Sequence, residues 1–247
     1  MKKCLNCEFM NKDSAKFCGK CGAYLEQKIN DIRKVLLPPG MYFREGREIS
    51  FGYDIPNAYS PNNPNWKTFS LKDLVDEDEI KYAENPDLVK IYVHVLNQDK
   101  DILDIYICSK AQIYANPDCS NMFSDSDVEK INLLNFNTSK VQNMSEMFAN
   151  CTNLKELNLS VFTTENVDNY WYMFRGCEKL EKINFSKIDV ETKKYLIYIL
   201  NKFSETFDFN KIDKSLASEN DLDEDYFSMV ISMFDDCDEI KSIILPD

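Results

Sequence analysis

The apolar positions in the second half of the chain repeat with a period of about 26 residues. A Met-Phe pair, a Cys three residues after the Phe, and then alternating apolar positions occur at residues 147–159 and again at residues 173–185. Further copies begin at Met122 and Met233. A fixed period of roughly 20–50 residues is typical of solenoid proteins, in which each unit stacks on its neighbours.

Each unit combines two apolar patterns. Apolar residues first recur at every third or fourth position, which predicts one face of a helix. They then alternate, as at Leu157 and Leu159, which predicts a short strand. The helical pattern comprises Val141, Met144, Met147, Phe148, Cys151 and Leu154 in one unit and Val167, Tyr170, Met173, Phe174, Cys177 and Leu180 in the next. The sequence therefore predicts an α/β repeat solenoid with one short strand and one helix per ~25 residues.

Five units fit into residues 120–247, although the fourth is degenerate. Segment 205–213 mirrors segment 181–189, which marks the decayed unit. An acidic insertion near residues 213–225 precedes the last unit. Residues 41–119 contain several β-rich runs, and we expect them to form an N-terminal cap, because the exposed first unit of a solenoid needs to be covered.

The units resemble the BspA-like leucine-rich repeats, whose pattern is roughly L-x-x-L-x-L-S-x-F-x-T-S-x-V-x-x-M-x-x-M-F-x-x-C. The corresponding text is NFNTSKVQNMSEMFANC in one unit and LKELNLSVFTTENVDNYWYMF in the next. The resemblance is specific from about residue 102 to residue 185 and at the C-terminus, and weak over residues 186–226. Members of that family are typically surface or secreted binding proteins, so the resemblance implies a non-enzymatic interaction scaffold.

Two Cys-x2-Cys pairs near the N-terminus predict a zinc site. Cys4, Cys7, Cys18 and Cys21 can supply four thiolates to one tetrahedral Zn²⁺. The segment CEFMNKDSAKFCGKCGAYL resembles the short zinc-ribbon family, which implies a ribbon over residues 1–23 with one structural Zn²⁺ as its cofactor. Such a site has no open position for catalysis. Two disulfides or redox dithiols are the alternative, although the cysteine spacing favours zinc.

A helical linker is predicted over residues 24–40. Its apolar stripe consists of Leu25, Ile29, Ile32, Val35 and Leu36. The sequence PPG at residues 38–40 ends the predicted helix. A single short stripe usually packs on a neighbouring domain, and a helix that binds a partner or a second copy is the alternative.

The charge of the chain restricts its partners and its compartment. The net charge of the 247 residues is −13, and residues 1–28 carry six lysines and three acidic residues, so the remainder holds −16. An acidic body repels nucleic acid and anionic lipid. The sequence contains no apolar run of transmembrane length, and no apolar run follows the basic N-terminus. We therefore predict a cytoplasmic protein, although the resembled family is usually found at the surface.

The sequence offers no catalytic constellation. His94 is the only histidine, and no nucleophile-elbow, zincin or phosphate-loop motif occurs. Acidic residues at positions 221, 223 and 225 resemble a calcium loop, but Tyr226 stands where that loop needs glycine. The cysteines outside the ribbon are Cys108, Cys119, Cys151, Cys177 and Cys237. We interpret them as buried core thiols rather than reactive ones, and we expect no enzymatic activity.

The predicted strands leave polar side chains on one face of the sheet. If Leu157 and Leu159 point inward, Glu156 and Asn158 point outward. With their equivalents in other units, the candidate partner-binding residues are Lys130, Asn132, Glu156, Asn158, Lys182, Asn184 and Asp208. These rows form a recognition strip, or they serve only to stabilise the sheet through cross-strand pairs.

Three functions are consistent with these patterns. The leading hypothesis is a non-catalytic scaffold, whose solenoid recognises a protein or cell-surface partner and whose zinc ribbon is a docking module. The alternative is a nucleic-acid-associated regulator that binds through the basic ribbon, which contains Lys2, Lys3, Lys12, Lys16 and Lys20. A carboxylate-based hydrolase is the third, because acidic side chains are abundant.

Overall fold

A computed structural model of the chain describes residues 2–3, 10–11, 34–38, 41–95, 102–185, 187–202, 209, 212, 216–217 and 222–246. The four cysteines of the predicted zinc ribbon lie outside these residues, as do residues 24–33 of the predicted linker. Asp208, which belongs to the candidate binding strip, and Asp221 also lie outside them.

The described elements are mostly short strands. The strands are β1 (Lys2–Lys3), β2 (Met10–Asn11), β3 (Lys34–Leu36), β4 (Glu48–Gly52), β5 (Trp66–Ser70), β6 (Lys90–Val95), β7 (Ile102–Cys108), β8 (Gln112–Tyr114), β9 (Lys130–Asn132), β10 (Phe136–Asn137), β11 (Glu156–Asn158), β12 (Lys182–Asn184) and β13 (Ser242–Ile244). The helices are the single turn α1 (Glu77–Ile80), α2 (Val190–Lys202) and α3 (Glu224–Ser232), with 3₁₀ turns at Leu71–Asp73 and Pro86–Leu88. The described part is therefore a mixed α/β structure.

The strands form four sheets, and the cap shares one of them with the repeats. The largest has the order β5-β6-β7-β4-β9, in which β4 runs parallel to both β7 and β9. Ile49 of β4 lies opposite Ile131 of β9, the strand of the first repeat unit. Two further sheets are parallel. The sheet β11-β12-β13 is built from strands of the repeats, and the sheet β10-β8-β3 joins β10 to the earlier strands β8 and β3. Strand β1 pairs antiparallel with β2. The β-rich cap therefore continues the apolar face of the repeats.

The predicted helix is absent from the described residues of the first three units, whose Met-Phe pairs begin at Met122, Met147 and Met173. Consecutive turns replace it. In the second unit, the backbone N–H groups of Met144, Glu146, Phe148 and Asn150 donate to the carbonyls of Asn169, Trp171, Met173 and Arg175 at 2.7–2.9 Å. An α-helix needs those N–H groups for carbonyls four residues back. The spacing of three to four residues is therefore real, but the chain uses it for turns that hydrogen bond to the next unit.

Left-handed residues interrupt each of the first three units at two fixed positions. Glu146 and Asn150 have φ of 54° and 58°, and Tyr172 and Gly176 have φ of 59° and 70° at the equivalent positions. A helix cannot pass through these conformations. The last unit does form a helix here, α3, and the side chain of Asp223 caps it by accepting a hydrogen bond from the Tyr226 N–H at 2.8 Å.

A column of phenylalanine rings runs through the apolar interior. Phe43 of the cap stacks on Phe123, and Phe123, Phe148, Phe174 and Phe234 continue the column with ring centroids 5.2–5.6 Å apart. All five rings are buried. Because every unit places the same ring at the same height, each unit packs on its neighbours through one repeated contact.

The described residues place no strand of the degenerate fourth unit between the third unit and the last. Strand β12 pairs directly with β13, and the Phe174 N–H donates to the Met233 carbonyl at 2.8 Å. The last unit therefore lies on the third. In the intervening segment, Phe209 is buried and packs on Phe234 with ring centroids 4.5 Å apart. The degenerate segment thus covers the final ring of the column and acts as an end cap.

Residues Lys34–Leu36 form a strand where the sequence predicts the end of a linker helix. Val35 lies opposite Ile113 of β8 and is fully buried. The Leu37 N–H donates to the Tyr114 carbonyl at 2.9 Å. Pairing with β8 satisfies backbone groups that a helix would satisfy internally, and it buries a β-branched residue that suits a strand. Tertiary pairing overrides the helical spacing for these residues.

Helix α2 is held on the third unit by a polar network around Asp189. Its carboxylate accepts hydrogen bonds from the Thr192 N–H at 2.8 Å and from the Tyr170 hydroxyl at 2.9 Å. Burial and the nearby Asp189 carboxylate raise the pKa of Tyr170. Among the described residues, no helix has both the length and the apolar character needed to cross a membrane.

We predict that Gly176→Ala destabilises the protein by about 1–3 kcal/mol. Gly176 has φ of 70°, and a Cβ at this position would lie 2.3 Å from Asn150 Oδ1. Both the strained backbone and the clash oppose the substitution, and chemical denaturation measures their sum. Asn150→Ala removes the clashing atom but carries a cost of its own, because Asn150 is also left-handed and donates to Asp125. Gly176→Ala should therefore cost less in an Asn150→Ala background than in the wild type. A fully stable Gly176→Ala variant would contradict the assigned turn geometry.

Candidate binding surface

The strands of the repeats expose one polar row and bury the alternate apolar row. Lys130 and Asn132 of β9 are exposed, whereas Ile131 between them is buried. Glu156 and Asn158 of β11 are likewise exposed on either side of a buried leucine. This orientation follows from the two-residue period of a strand. The predicted strip therefore spans the outward faces of two sheets, with β9 at the edge of the cap sheet and β11 at the edge of β11-β12-β13.

The charged row of this face is not a continuous ladder of ion pairs. Lys130 Nζ lies 3.0 Å from Glu48 Oε1 of the cap strand β4, and the Lys130 side chain remains 65% exposed. Such a surface pair contributes little to stability. Glu156 lies opposite Lys182 in register, but no ion pair joins these two side chains in the described part of the chain. Glu156 and Lys182 are thus available to an external partner.

The asparagine row has a structural role that the sequence analysis did not assign. Asn158 Oδ1 accepts a hydrogen bond from the Ser160 N–H at 3.0 Å, and Asn132 Oδ1 accepts one from the Leu134 N–H at 3.2 Å. Asn143 closes the same turn with Ser145 at 3.0 Å. These Asx turns fix the exit of each strand. They explain the recurrent Asn-x-Ser sequence, and they leave the Nδ2 groups of Asn132 and Asn158 without a partner among the described residues.

The far end of the strip differs from the prediction. The sequence alignment places Asp208 beside Asn184, but the strand next to Asn184 is β13, where Ile244 occupies the paired position. Ile244 is 42% exposed. Strands β12 and β13 are hydrogen-bonded neighbours, so Ile244 follows Asn184 in this row of the described strands. The polar strip therefore ends on an exposed apolar side chain rather than on a carboxylate.

A group of aromatic rings around Trp66 lies at the other end of the same face. Trp66 and Tyr92 are buried on the outward side of β5 and β6, and Tyr59 from the preceding loop packs on both rings. His94 stacks on Trp66 with centroids 4.5 Å apart, and its Nδ1 lies 3.4 Å from Asp104 Oδ2. The sequence analysis placed His94 on a strand but missed this cluster. Alternating aromatic and polar residues at 66–68 and 92–94 are the signal that could have indicated it.

The nearby thiol of Cys108 does not supply a thiolate nucleophile to His94. Burial, together with the nearby Asp54 carboxylate, raises the pKa of the Cys108 thiol to about 12. Asp104 Oδ1 accepts no hydrogen bond within the described residues, although Arg47 Nη2 lies 3.7 Å away. The interpretation of His94 as a strand residue in satisfied surroundings agrees with this geometry.

The remaining thiols belong to the core, as predicted. Cys151, Cys177 and Cys237 occupy one position of the repeat, and each Sγ donates to the carbonyl of a phenylalanine in the adjoining unit at 3.0 Å. Burial is the main cause that raises the pKa of Cys119 and of Cys237 to about 12. Within the described residues, no three His, Cys, Asp or Glu side chains are arranged to hold a metal ion.

The fold and the exposed strand face define a repeat protein whose units stack through their backbone and present one polar sheet surface. A family model described as "Mycoplasma protein of unknown function, DUF285" matches residues 117–244, and the chain belongs to this family. Its repeats are of the leucine-rich, BspA-like type, which agrees with the resemblance noted in the sequence. No curated protein and no solved structure matched the chain.

We predict that at most four of the nine cysteines react with a thiol-specific disulfide reagent at about pH 8 while the protein is folded. The five described cysteines are buried, which keeps the reagent from them. A raised pKa in addition keeps Cys108, Cys119, Cys177 and Cys237 neutral at this pH. Absorbance titration before and after unfolding in guanidinium with a chelator gives the two counts. Five or more reactive thiols in the folded protein would contradict the core assignment.

Proposed function

We propose that the protein is a non-catalytic binding scaffold, in which a leucine-rich-repeat solenoid recognises a protein partner through its exposed strand face. The observation that carries this proposal is the outward row of Lys130, Glu156 and Lys182 beside Asn132 and Asn158. Glu156 and Lys182 make no ion pair with each other, and the Asn132 and Asn158 amides retain free donors among the described residues. These groups can therefore be used by a partner.

The shape of the face favours a macromolecular partner. Neighbouring strands of one sheet, such as β11 and β12, lie about 4.8 Å apart, so a partner that crosses them meets one charged and one amide side chain per strand. The aromatic rings around Trp66 lie at one end of this row, and Ile244 lies at its other end. Polar contacts flanking an exposed apolar side chain are typical of transient protein interfaces.

We expect the double variant Glu156→Ala/Asn158→Ala to lose its partner. Affinity capture from the native cell with tagged wild-type protein should retain a protein whose recovery falls at least tenfold with this variant. A matched control, Glu191→Ala/Asn201→Ala on exposed positions of α2, should retain it. The control should keep a wild-type Tm, whereas the test variant should lose only about 1 kcal/mol with the Asx-turn hydrogen bond of Asn158, so both variants stay folded. Equal recovery with all three baits would place the binding site elsewhere.

We further propose that residues 1–23 form a zinc ribbon that serves as a docking module. The observation behind this is the spacing of Cys4, Cys7, Cys18 and Cys21, which suits one tetrahedral ion. Binding of Zn²⁺ would supply the free energy that so small a module needs to fold. With four thiolate ligands, the ion would have no open coordination position for catalysis.

Metal analysis of the purified full chain should give about one Zn²⁺ per molecule. Cys18→Ser should reduce this content severalfold, because it removes one of the four proposed thiolates. Cys119→Ala is the control, since this buried thiol lies outside the ribbon and should leave the zinc content unchanged. A zinc content well below one in the wild-type protein would exclude the ribbon.

A further inference from the structure

The third repeat unit departs from its neighbours at two positions that the fold does not require to be aromatic. The residues directly before the buried Met-Phe pair are Ser120-Asn121 in the first unit and Ser145-Glu146 in the second, but Trp171-Tyr172 in the third. Packing of the stack is carried by the Met and Phe side chains. Trp171 and Tyr172 are half-buried, and Trp171 packs on the edge of the core. The first and second units stack without aromatic rings at these positions, so stacking alone does not require them.

The backbone conformation at Tyr172 is unfavourable for an aromatic side chain. Its φ is 59°, and the equivalent residues Asn121 and Glu146 have φ of 58° and 54°. Asparagine tolerates this left-handed conformation, whereas a bulky aromatic residue rarely adopts it. Residues held in such conformations cluster at functional sites. A tyrosine at this position therefore indicates a role for the ring itself.

The two rings form a half-exposed cluster with Arg175. The Trp171 and Tyr172 centroids lie 5.8 Å apart, and the Arg175 guanidinium carbon lies 5.3 Å from the Tyr172 centroid. Arg175 Nε also lies 3.9 Å from Asp236 Oδ2, so the charge of this arginine is offset within the chain. Trp, Tyr and Arg are the residue types most enriched in the energetic centres of protein interfaces. Trp171, Tyr172 and Arg175 are called the aromatic cluster below.

Two exposed acidic residues adjoin the aromatic cluster along the backbone. Glu146 of the second unit is exposed, and its backbone N–H donates to the Trp171 carbonyl at 2.9 Å. Asp168, three residues before Trp171, is also exposed. Neither carboxylate forms an ion pair within the described residues. A cation over the indole ring would therefore meet the negative face of the ring and nearby negative charge together.

We propose that the aromatic cluster binds a lysine or arginine side chain of a basic protein segment. The net charge of −13 attracts such a segment at long range, and the indole with the two adjoining acidic residues provides the local contact. The cluster lies on the turn edge of the stack, apart from the strand face, so this inference does not depend on the function proposed for the strands. It adds a second surface and a partner chemistry.

The test uses fluorescein-labelled octalysine as the probe and fluorescence anisotropy of the full chain at moderate salt. Trp171→Ser and Tyr172→Asn introduce residues that the first and second units already carry at these positions, so both variants should fold. Each should weaken octalysine binding at least tenfold. Tyr172→Asn should in addition leave the unfolding midpoint unchanged or raise it, because asparagine suits the left-handed backbone.

Two further variants separate a specific site from general charge attraction. Glu146→Gln/Asp168→Asn should weaken octalysine binding, whereas Glu191→Gln/Glu224→Gln, which removes the same charge elsewhere, should change it less than twofold. Octaglutamate should not bind. Equal octalysine affinity for wild type and Trp171→Ser, or equal loss in both charge variants, would overturn the proposal. Glu156→Ala/Asn158→Ala should bind octalysine normally, so its failure in partner capture tests only the strand face.

Discussion

The hydrogen bonds between units are the constraint on which the rest of the structure depends. Alternate N–H groups of each turn segment donate to the carbonyls of the next unit, as Phe148 does to Met173 at 2.9 Å. Buried backbone groups must be paired, and a segment that pairs with its neighbour cannot also be a helix. The left-handed residues at Glu146 and Asn150 and the Asx turn at Asn158 follow from this choice, because they turn the chain so that its N–H groups face the next unit.

This ladder also fixes which positions are free to vary. A residue that stacks in register, such as Phe174 or Cys177, must match its counterparts in size, and the Cys177 thiol completes the match by donating to the Phe148 carbonyl. Outward positions carry no such demand. The exposed strand residues and the Trp171-Tyr172 pair differ between units without a change in the buried column, and they carry the two proposed binding surfaces.

A stack of this kind needs both of its ends covered, and the chain covers them by different means. At one end, Phe43 and strand β4 extend the phenylalanine column and the sheet. At the other end, the segment after α2 places Phe209 on Phe234. Each cap buries a ring that would otherwise face water, and burial of one aromatic side chain is worth about 1.5–3 kcal/mol. The degenerate fourth unit is thus explained by a capping role.

The sequence by itself determined the period, the buried positions and the core assignment of the thiols, because these follow from a local pattern that each unit repeats. It also placed Glu156 and Asn158 on the outward face, since strand alternation is local. Only the tertiary structure decided that the Met147 segment is a turn, that Lys34–Leu36 is a strand, and that β13 pairs with β12. A spacing of three to four residues suits a helix and a stacked turn equally. The choice between them is made by hydrogen bonds to distant residues, which no local pattern records.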